Sequence, residues 1–320
     1  MKNTIRALLG FLFPMFVAAL LLATTPAMAN FAAGQKRYDA GDFAGALQEW
    51  QPLAEKGEAR AQGQIARLYY RGEGVGRDNT KALEWARKAV AGGDAAGQLV
   101  LGVLYYWGKG GLAKDEEQAA KLFRQSADQG WKYGQYWMGV YLMDHVAFGD
   151  AADWLEKAAR QNLPEAESML GKLYERGDRT PEHDPDFKEA MRRYRIAIER
   201  NDASGMFLLG RLYVIKFSAE RVRRMFDREE SDEIAYVTLL ERNVPRDLVL
   251  GYALLSLAEQ KKDTDAAELL AAIKPELSPE QLAEAQGILA TWKPGTLFPM
   301  TSKTGVVPRV AKPKADQPKQ

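Results

Sequence analysis

Five times along the chain a small residue is followed at the fourth, fifth and eighth positions by an apolar, a small and an aromatic or apolar residue. The sets are Ala61/Ile65/Ala66/Tyr69, Gly97/Leu101/Gly102/Tyr105, Gly134/Met138/Gly139/Leu142, Ala166/Leu170/Gly171/Tyr174 and Gly205/Leu209/Gly210/Tyr213. Positions spaced in this way share one face of an α-helix. A second pattern follows each first one. Asp78 precedes Ala82, Trp85 and Ala89, and the same offsets run from Asp115 to Ala119, Leu122 and Ser126, from Asp186 to Ala190, Arg193 and Ala197, and from Asp247 to Gly251, Leu254 and Ala258. An aspartate just ahead of such a stripe suits a helix N-cap, where its carboxylate meets free backbone N–H groups. The sequence therefore predicts helix pairs, repeated with first positions at 61, 97, 134, 166 and 205, or 36, 37, 32 and 39 residues apart.

Glycine inside a helix costs about 1 kcal/mol relative to alanine. Its recurrence at Gly102, Gly139, Gly171 and Gly210 predicts close helix–helix approach as the compensation. Neither helix of a pair buries its stripe alone, so the pairs must stack into a continuous core. The expected fold is all-α, a right-handed α-solenoid of antiparallel helix pairs. Copy three departs from the pattern: His145 to Gly149 replaces a glycine turn, and Ala147 stands where the aspartate should be. Copy four stretches its turn through Pro181 to Pro185, and copy five carries an insertion, 217–244, between its two helices.

The residues that mark the repeats, best preserved in Leu68-Tyr-Tyr-Arg-Gly72-Glu-Gly74-Val-Gly-Arg-Asp78 and Lys81-Ala-Leu-Glu-Trp85, resemble the Sel1-like repeat, a relative of the tetratricopeptide repeat. The resemblance covers roughly Phe31 to Trp292. Tyr38, Gly41-Asp42, Ala46 and Trp50 look like an N-terminal capping pair (30–58), ahead of a solenoid at 59–292. Ser278-Pro279 opens a C-terminal capping helix, 279–292, with serine as N-cap and proline as first helical residue. Members of this family generally act as adaptors for protein assemblies, and the resemblance implies that class of activity.

The ends add a compartment. Lys2 and Arg6, the apolar run Leu8 to Ala23 and the triplet Ala27-Met28-Ala29 have the order of a cleavable signal peptide, 1–29, with cleavage expected after Ala29. The expected location is a bacterial periplasm, with no membrane span after cleavage. The tail 293–320 has six basic residues and one acid, rich in proline, lysine and threonine, and is expected to be disordered. Asn30 to Trp292 carries 36 basic and 42 acidic residues, a net −6, which argues against nucleic acid as a partner.

No enzyme chemistry emerges. The chain has no cysteine and two histidines. His183, in Glu182-His183-Asp184-Pro185-Asp186, has no established metal-ligand spacing and reads as a polar loop. Gly108 to Gly111 is followed by neither the lysine nor the hydroxyl residue of a phosphate loop. No cofactor, metal or catalytic residue is expected. The insertion holds Arg221, Arg223, Arg224 and Arg228 ahead of Glu229, Glu230, Asp232 and Glu233, which suits a salt-bridged solvated helix or a docking arm.

By resemblance to tetratricopeptide arrays, the first helix of each pair lines the inner surface, and the stripe beside the core stripe faces a groove. That stripe contains Arg60, Arg67, Tyr70, Leu99, Val103, Tyr106, Tyr133, Tyr136, Val140, Met143, Lys172, Phe207 and Arg211. It begins basic, turns aromatic and apolar, and ends mixed, with residue types common in interfaces. The expected function is a periplasmic scaffold holding a protein or peptide there, with about half of the stripe packed against neighbouring repeats. The alternative is a factor that binds or processes cell-wall glycan.

Overall fold

The computed structural model describes residues 26–178, 184–214, 240 and 243–304, with side chains described from Phe31 onward. The described residues form fourteen α-helices: α1 Pro26–Asp39, α2 Phe43–Glu55, α3 Ala59–Arg71, α4 Asn79–Ala91, α5 Ala95–Trp107, α6 Glu116–Asp128, α7 Lys132–Asp144, α8 Phe148–Arg160, α9 Pro164–Arg176, α10 Phe187–Glu199, α11 Ala203–Val214, α12 Leu248–Gln260, α13 Thr264–Ile273 and α14 Pro279–Thr291. They divide into two compact units, the first ending at Met138 and the second beginning at Gly139.

Each predicted pair is an α-hairpin. Asp78, Asp115, Asp186 and Asp247 cap α4, α6, α10 and α12, accepting from backbone N–H groups two or three residues on. A backbone bond then closes the hairpin. The N–H of Asp78 donates to the Tyr69 carbonyl at 2.9 Å, Asp115 to Tyr105 at 3.0 Å, Asp186 to Tyr174 at 2.8 Å and Asp247 to Tyr213 at 3.1 Å. In copy three Ala147 donates to the Leu142 carbonyl at 2.9 Å, although its side chain caps nothing. The same lock thus joins the irregular copies as well as the regular ones.

The small residues lie where the pairs touch. Gly102 faces the Phe123 ring, 2.8 Å from where a Cβ would stand, and Gly139 faces Leu155, 2.6 Å away by the same measure. Gly171 lies against the fully buried Tyr194 ring. Gly74, at φ +70°, sits against the start of α2, where a Cβ would come within 2.6 Å of the Ala44 nitrogen. That turn needs glycine both for its left-handed backbone and for the approach.

The first unit packs Trp50 against Phe31 and Tyr38, and its indole N–H donates to the Phe31 carbonyl. In the second unit one core runs from Phe187 through α11 and α12 to Ile273, and includes Leu240 and Val244. These two are buried parts of the insertion, most of which lies outside the described residues. Arg193 occupies the place of Trp85, Leu122 and Leu254. It is held by Glu156, Glu167 and Glu189 at 2.7, 3.0 and 2.9 Å. Burial disfavours its charge, but those carboxylates outweigh it and raise its pKa.

Two expectations are corrected. Helix α13, capped by Asp263, was not foreseen between α12 and the C-terminal cap. The cap itself, α14, has the reciprocal Ser278/Gln281 capping box. The expected disordered tail does not begin at residue 293, because 293–304 folds back onto the second unit. Phe298 is buried, the Gly295 N–H donates to the Glu199 carbonyl, and Ser302 donates from both N and Oγ to the Asp247 carboxylate. Lys303 and Thr304 N–H groups donate to Glu284. A buried aromatic and acceptors at the cap of α12, at the end of α10 and within α14 order this stretch, which composition alone does not reveal. Residues 305–320 lie outside the described residues.

Replacing Gly171 with alanine is expected to destabilise the protein by about 1–3 kcal/mol through overpacking against Tyr194. Gly287→Ala, with open space around its Cβ, is expected to stabilise by about 0.5–1 kcal/mol. Urea denaturation of the two variants checks both. Asp247→Ala is expected to release residues 293–304, read as new protease cleavage there while the helices before α12 stay resistant.

Candidate functional site

The first helices of the pairs present equivalent positions just after the second small residue: Arg67, Val103, Val140, Lys172 and Arg211. In the first unit this row is closed. The Arg67 guanidinium stacks 4.3 Å from the Tyr38 ring centroid and 5.2 Å from that of Tyr133. Arg67 is on α3 and Tyr133 on α7, so the two side chains meet across α5. Leu99 and Val103 of α5 are buried, as is Arg67 itself. Tyr106 is also buried, with its ring 6.1 Å from Phe123 and 6.3 Å from Trp137. These four residues, expected to line a groove, are packing residues instead. The helical period identifies their face, but the close curl of neighbouring repeats fills it. The Tyr38 hydroxyl, whose pKa burial raises, donates to Glu73 at 2.6 Å, and Arg71 pairs with the same carboxylate.

Tyr70, Tyr133 and Tyr136 remain half-exposed, and Tyr70 carries the Arg77 guanidinium at 5.5 Å. Among the described residues of this unit Trp107 is the large exposed aromatic, at 52%. Arg60 is exposed and lies over the Phe31 ring at 4.2 Å.

Arg60 also borders a cavity of about 540 Å³ that sequence reasoning missed. Its walls include Phe31, Gln64, Asp94, Gln129 and Trp131. They come from α1, from the N-terminal ends of α3 and α5, and from the turns preceding α5 and α7. The one available signal was the recurring turn ahead of each first helix, which uses a left-handed residue at Gly57, Gly93, Gly130, Asn162, Asn201 and Lys262. Asp94 caps α5 by accepting from the Gly97 N–H at 2.8 Å. Burial nevertheless lifts its pKa to about 6, against the lowering effect of that bond and of Arg60.

In the second unit the row stays open. Val140, Met143, Lys172, Phe207 and Arg211 are all half-buried. Beneath them Glu175 is buried, accepting from the Tyr194 hydroxyl at 2.6 Å and pairing with Arg211. Arg176 pairs with Asp178 at 2.9 Å. Ser168, one turn before Lys172, donates to Asp202 at 2.6 Å, and Asp202 caps α11 through the Gly205 N–H. Burial, then Arg211, lowers the Lys172 pKa. His145 is exposed and stacks on Tyr141 with centroids 4.1 Å apart, while His183 lies outside the described residues.

The Asp94 shift gives a signed prediction. Its folded pKa, about 6, lies above the ordinary 3.8, so the folded state holds the proton more tightly than the unfolded chain does. The carboxyl therefore opposes folding most above pH 6, and that penalty is relieved as pH falls from 6 towards 4. Asp94→Asn keeps an N-cap side chain and is expected to flatten this part of the stability–pH curve, measured by urea denaturation at pH 4 to 7.

The repeats are those of known proteins. The Sel1 repeat family matches residues 59–94, 95–131, 132–163 and 164–202, each span holding one helix pair from α3/α4 to α9/α10. The fifth pair, α11/α12, has the same lock but falls outside those matches. The chain is 32% identical over 190 residues to an uncharacterised protein of Neisseria meningitidis serogroup B, covering 48% of this chain and 37% of that protein. It thus spans little more than a third of that relative's length. The fold is similar to a Sel1 repeat protein from Oxalobacter formigenes, with a TM-score of 0.55 and 20% identity over 80% of this chain and 97% of the other. A protective antigen of uropathogenic Escherichia coli with an SLR fold superposes with a TM-score of 0.44 at 22% identity, over 82% and 68% of the two chains. Sel1 repeat proteins are generally protein–protein interaction scaffolds. Four matched repeats laid on successive locked helix pairs make residues 59–202 of this chain a run of Sel1 repeats.

Proposed function

We propose that this protein is a non-catalytic scaffold of the bacterial cell envelope, exported by residues 1–29, which seats a protein or peptide on the first helices of its second unit. The observation that carries the binding surface is the open row Val140, Lys172, Phe207 and Arg211. Phe207 packs against the core of the second unit, yet both it and Val140 stay half-exposed. Half-exposed aromatic and arginine side chains on a rigid frame are what a partner can bury at low entropic cost. Export rests on the charge–apolar–small order of the N-terminus. Cleavage after Ala29 would remove the first turn of α1 and leave Phe31, buried against Trp50, in the mature chain. Among the described residues no helix is long and apolar enough to cross a membrane.

One observation favours a second reading, binding of cell-wall glycan. The cavity of the first unit is lined by Trp131 together with the polar side chains of Gln35, Gln64 and Asp94, a mixture suited to a sugar ring and its hydroxyls. Sedimentation with isolated peptidoglycan, compared between the native protein and Trp131→Ala, separates this reading from the first.

The mature protein purified from the periplasmic fraction is expected to begin at Asn30 by intact mass. A photo-crosslinking residue at position 207 or 140 is expected to yield partner adducts in cells. The same residue at the exposed Arg192 position of α10 is expected to yield none. Adducts from 192 alone would place the partner on the wrong face for this proposal.

A further inference from the structure

Lys172 stands out among the charged side chains of the second unit. Its position on α9 corresponds to Arg67 on α3, Val103 on α5 and Arg211 on α11. Its neighbours are already committed. Glu175, one turn on, takes the Tyr194 hydroxyl and Arg211, and Arg176 is paired with Asp178. Asp144 and Glu175 act on Lys172 through space, as do Arg211 and Arg176 with the opposite sign. No hydrogen bond or ion pair joins its ammonium group to any described residue.

An ammonium carries three donors, and a ligand that covers it without supplying an acceptor pays for their desolvation. Phe207, one turn before Arg211 on α11, and Met143, one turn after Val140 on α7, are half-exposed apolar side chains on the same helices as the row. A ligand that compensates the charge while covering these side chains must itself be anionic and apolar. The Arg211 guanidinium on the next first helix adds to the field at Lys172 without supplying an acceptor.

We infer that the inner row of the second unit recognises an acidic side chain of a peptide, its carboxylate accepting from the Lys172 ammonium beside Arg211 and its apolar neighbours covering Phe207 and Met143. This deepens the scaffold reading and rests on it, by naming the chemistry of the partner. A charge-assisted bond to a carboxylate is stronger than a neutral one, so glutamate is favoured over glutamine at the position that meets Lys172. An arginine in place of Lys172 keeps the charge and the donors.

The test uses the full mature chain and two labelled peptides, acetyl-Ala-Phe-Leu-Glu-Leu-Phe-Ala-amide and its counterpart with Gln in place of Glu, in fluorescence anisotropy. The Glu peptide is expected to bind about tenfold more tightly or better, a difference of the size one charge-assisted bond supplies. Lys172→Gln is expected to abolish the difference, Lys172→Arg to keep most of it, and Phe207→Ala to weaken both peptides alike. Thermal unfolding confirms that each variant is folded. Equal binding of the two peptides, discrimination that survives Lys172→Gln, or no binding of either peptide overturns the inference. Equal binding together with a loss in Phe207→Ala leaves the groove reading standing; equal binding unaffected by Phe207→Ala removes both.

Discussion

The structure depends on how closely the two helices of each pair approach. Gly102, Gly139 and Gly171 give up about 1 kcal/mol of helix propensity each, and in return an aromatic ring or a leucine packs against bare backbone. The approach brings the end of one helix beside the start of the next. There the N–H that opens the second helix donates to a carbonyl in the last turn of the first, which in two of the five pairs also accepts from the C-cap glycine. One backbone bond thus satisfies a donor at one helix start and an acceptor at one helix end. The small residues and the lock are two parts of one constraint.

That constraint explains which departures from the pattern the protein tolerates. Copy three loses its aspartate and its glycines, and the short turn forces Val146 into φ +60°, yet Ala147 still donates to Leu142. In copy four an arginine occupies a core position and is neutralised by three carboxylates. The insertion of copy five separates Tyr213 from Asp247 by a long stretch of chain without opening the hairpin. Asp247 also accepts from Ser302, so the returning segment 293–304 is fastened to the same cap. The lock is made of backbone and survives changes of side chain; the side chains decide what each copy offers to its surroundings.

The helix pairs, their N-caps and the terminal capping helix were legible in the sequence because period and cap chemistry are local properties. The faces of the first helices were legible for the same reason, and Val140, Lys172, Phe207 and Arg211 are half-buried there. What the sequence did not disclose was how far each repeat leans over the next. Arg67 reaches Tyr133 across a whole intervening helix, and on that helix Leu99 and Val103, which a single-helix reading leaves at the surface, are buried. The same limit hid the cavity beside Arg60 and Asp94, whose walls come from turns of different repeats. Residues 293–304 were misread for another reason. Their composition is that of a disordered tail, and their order comes from long-range acceptors at Asp247, Glu199 and Glu284.

Native-state hydrogen exchange at the five locking amides tests this account most directly. Asp78, Asp115, Ala147, Asp186 and Asp247 are each expected to show strong protection, those of the two irregular copies, Ala147 and Asp247, comparable with the regular ones. Rapid exchange at Ala147 or Asp247, with Asp78 and Asp115 protected, would contradict a lock that holds every pair.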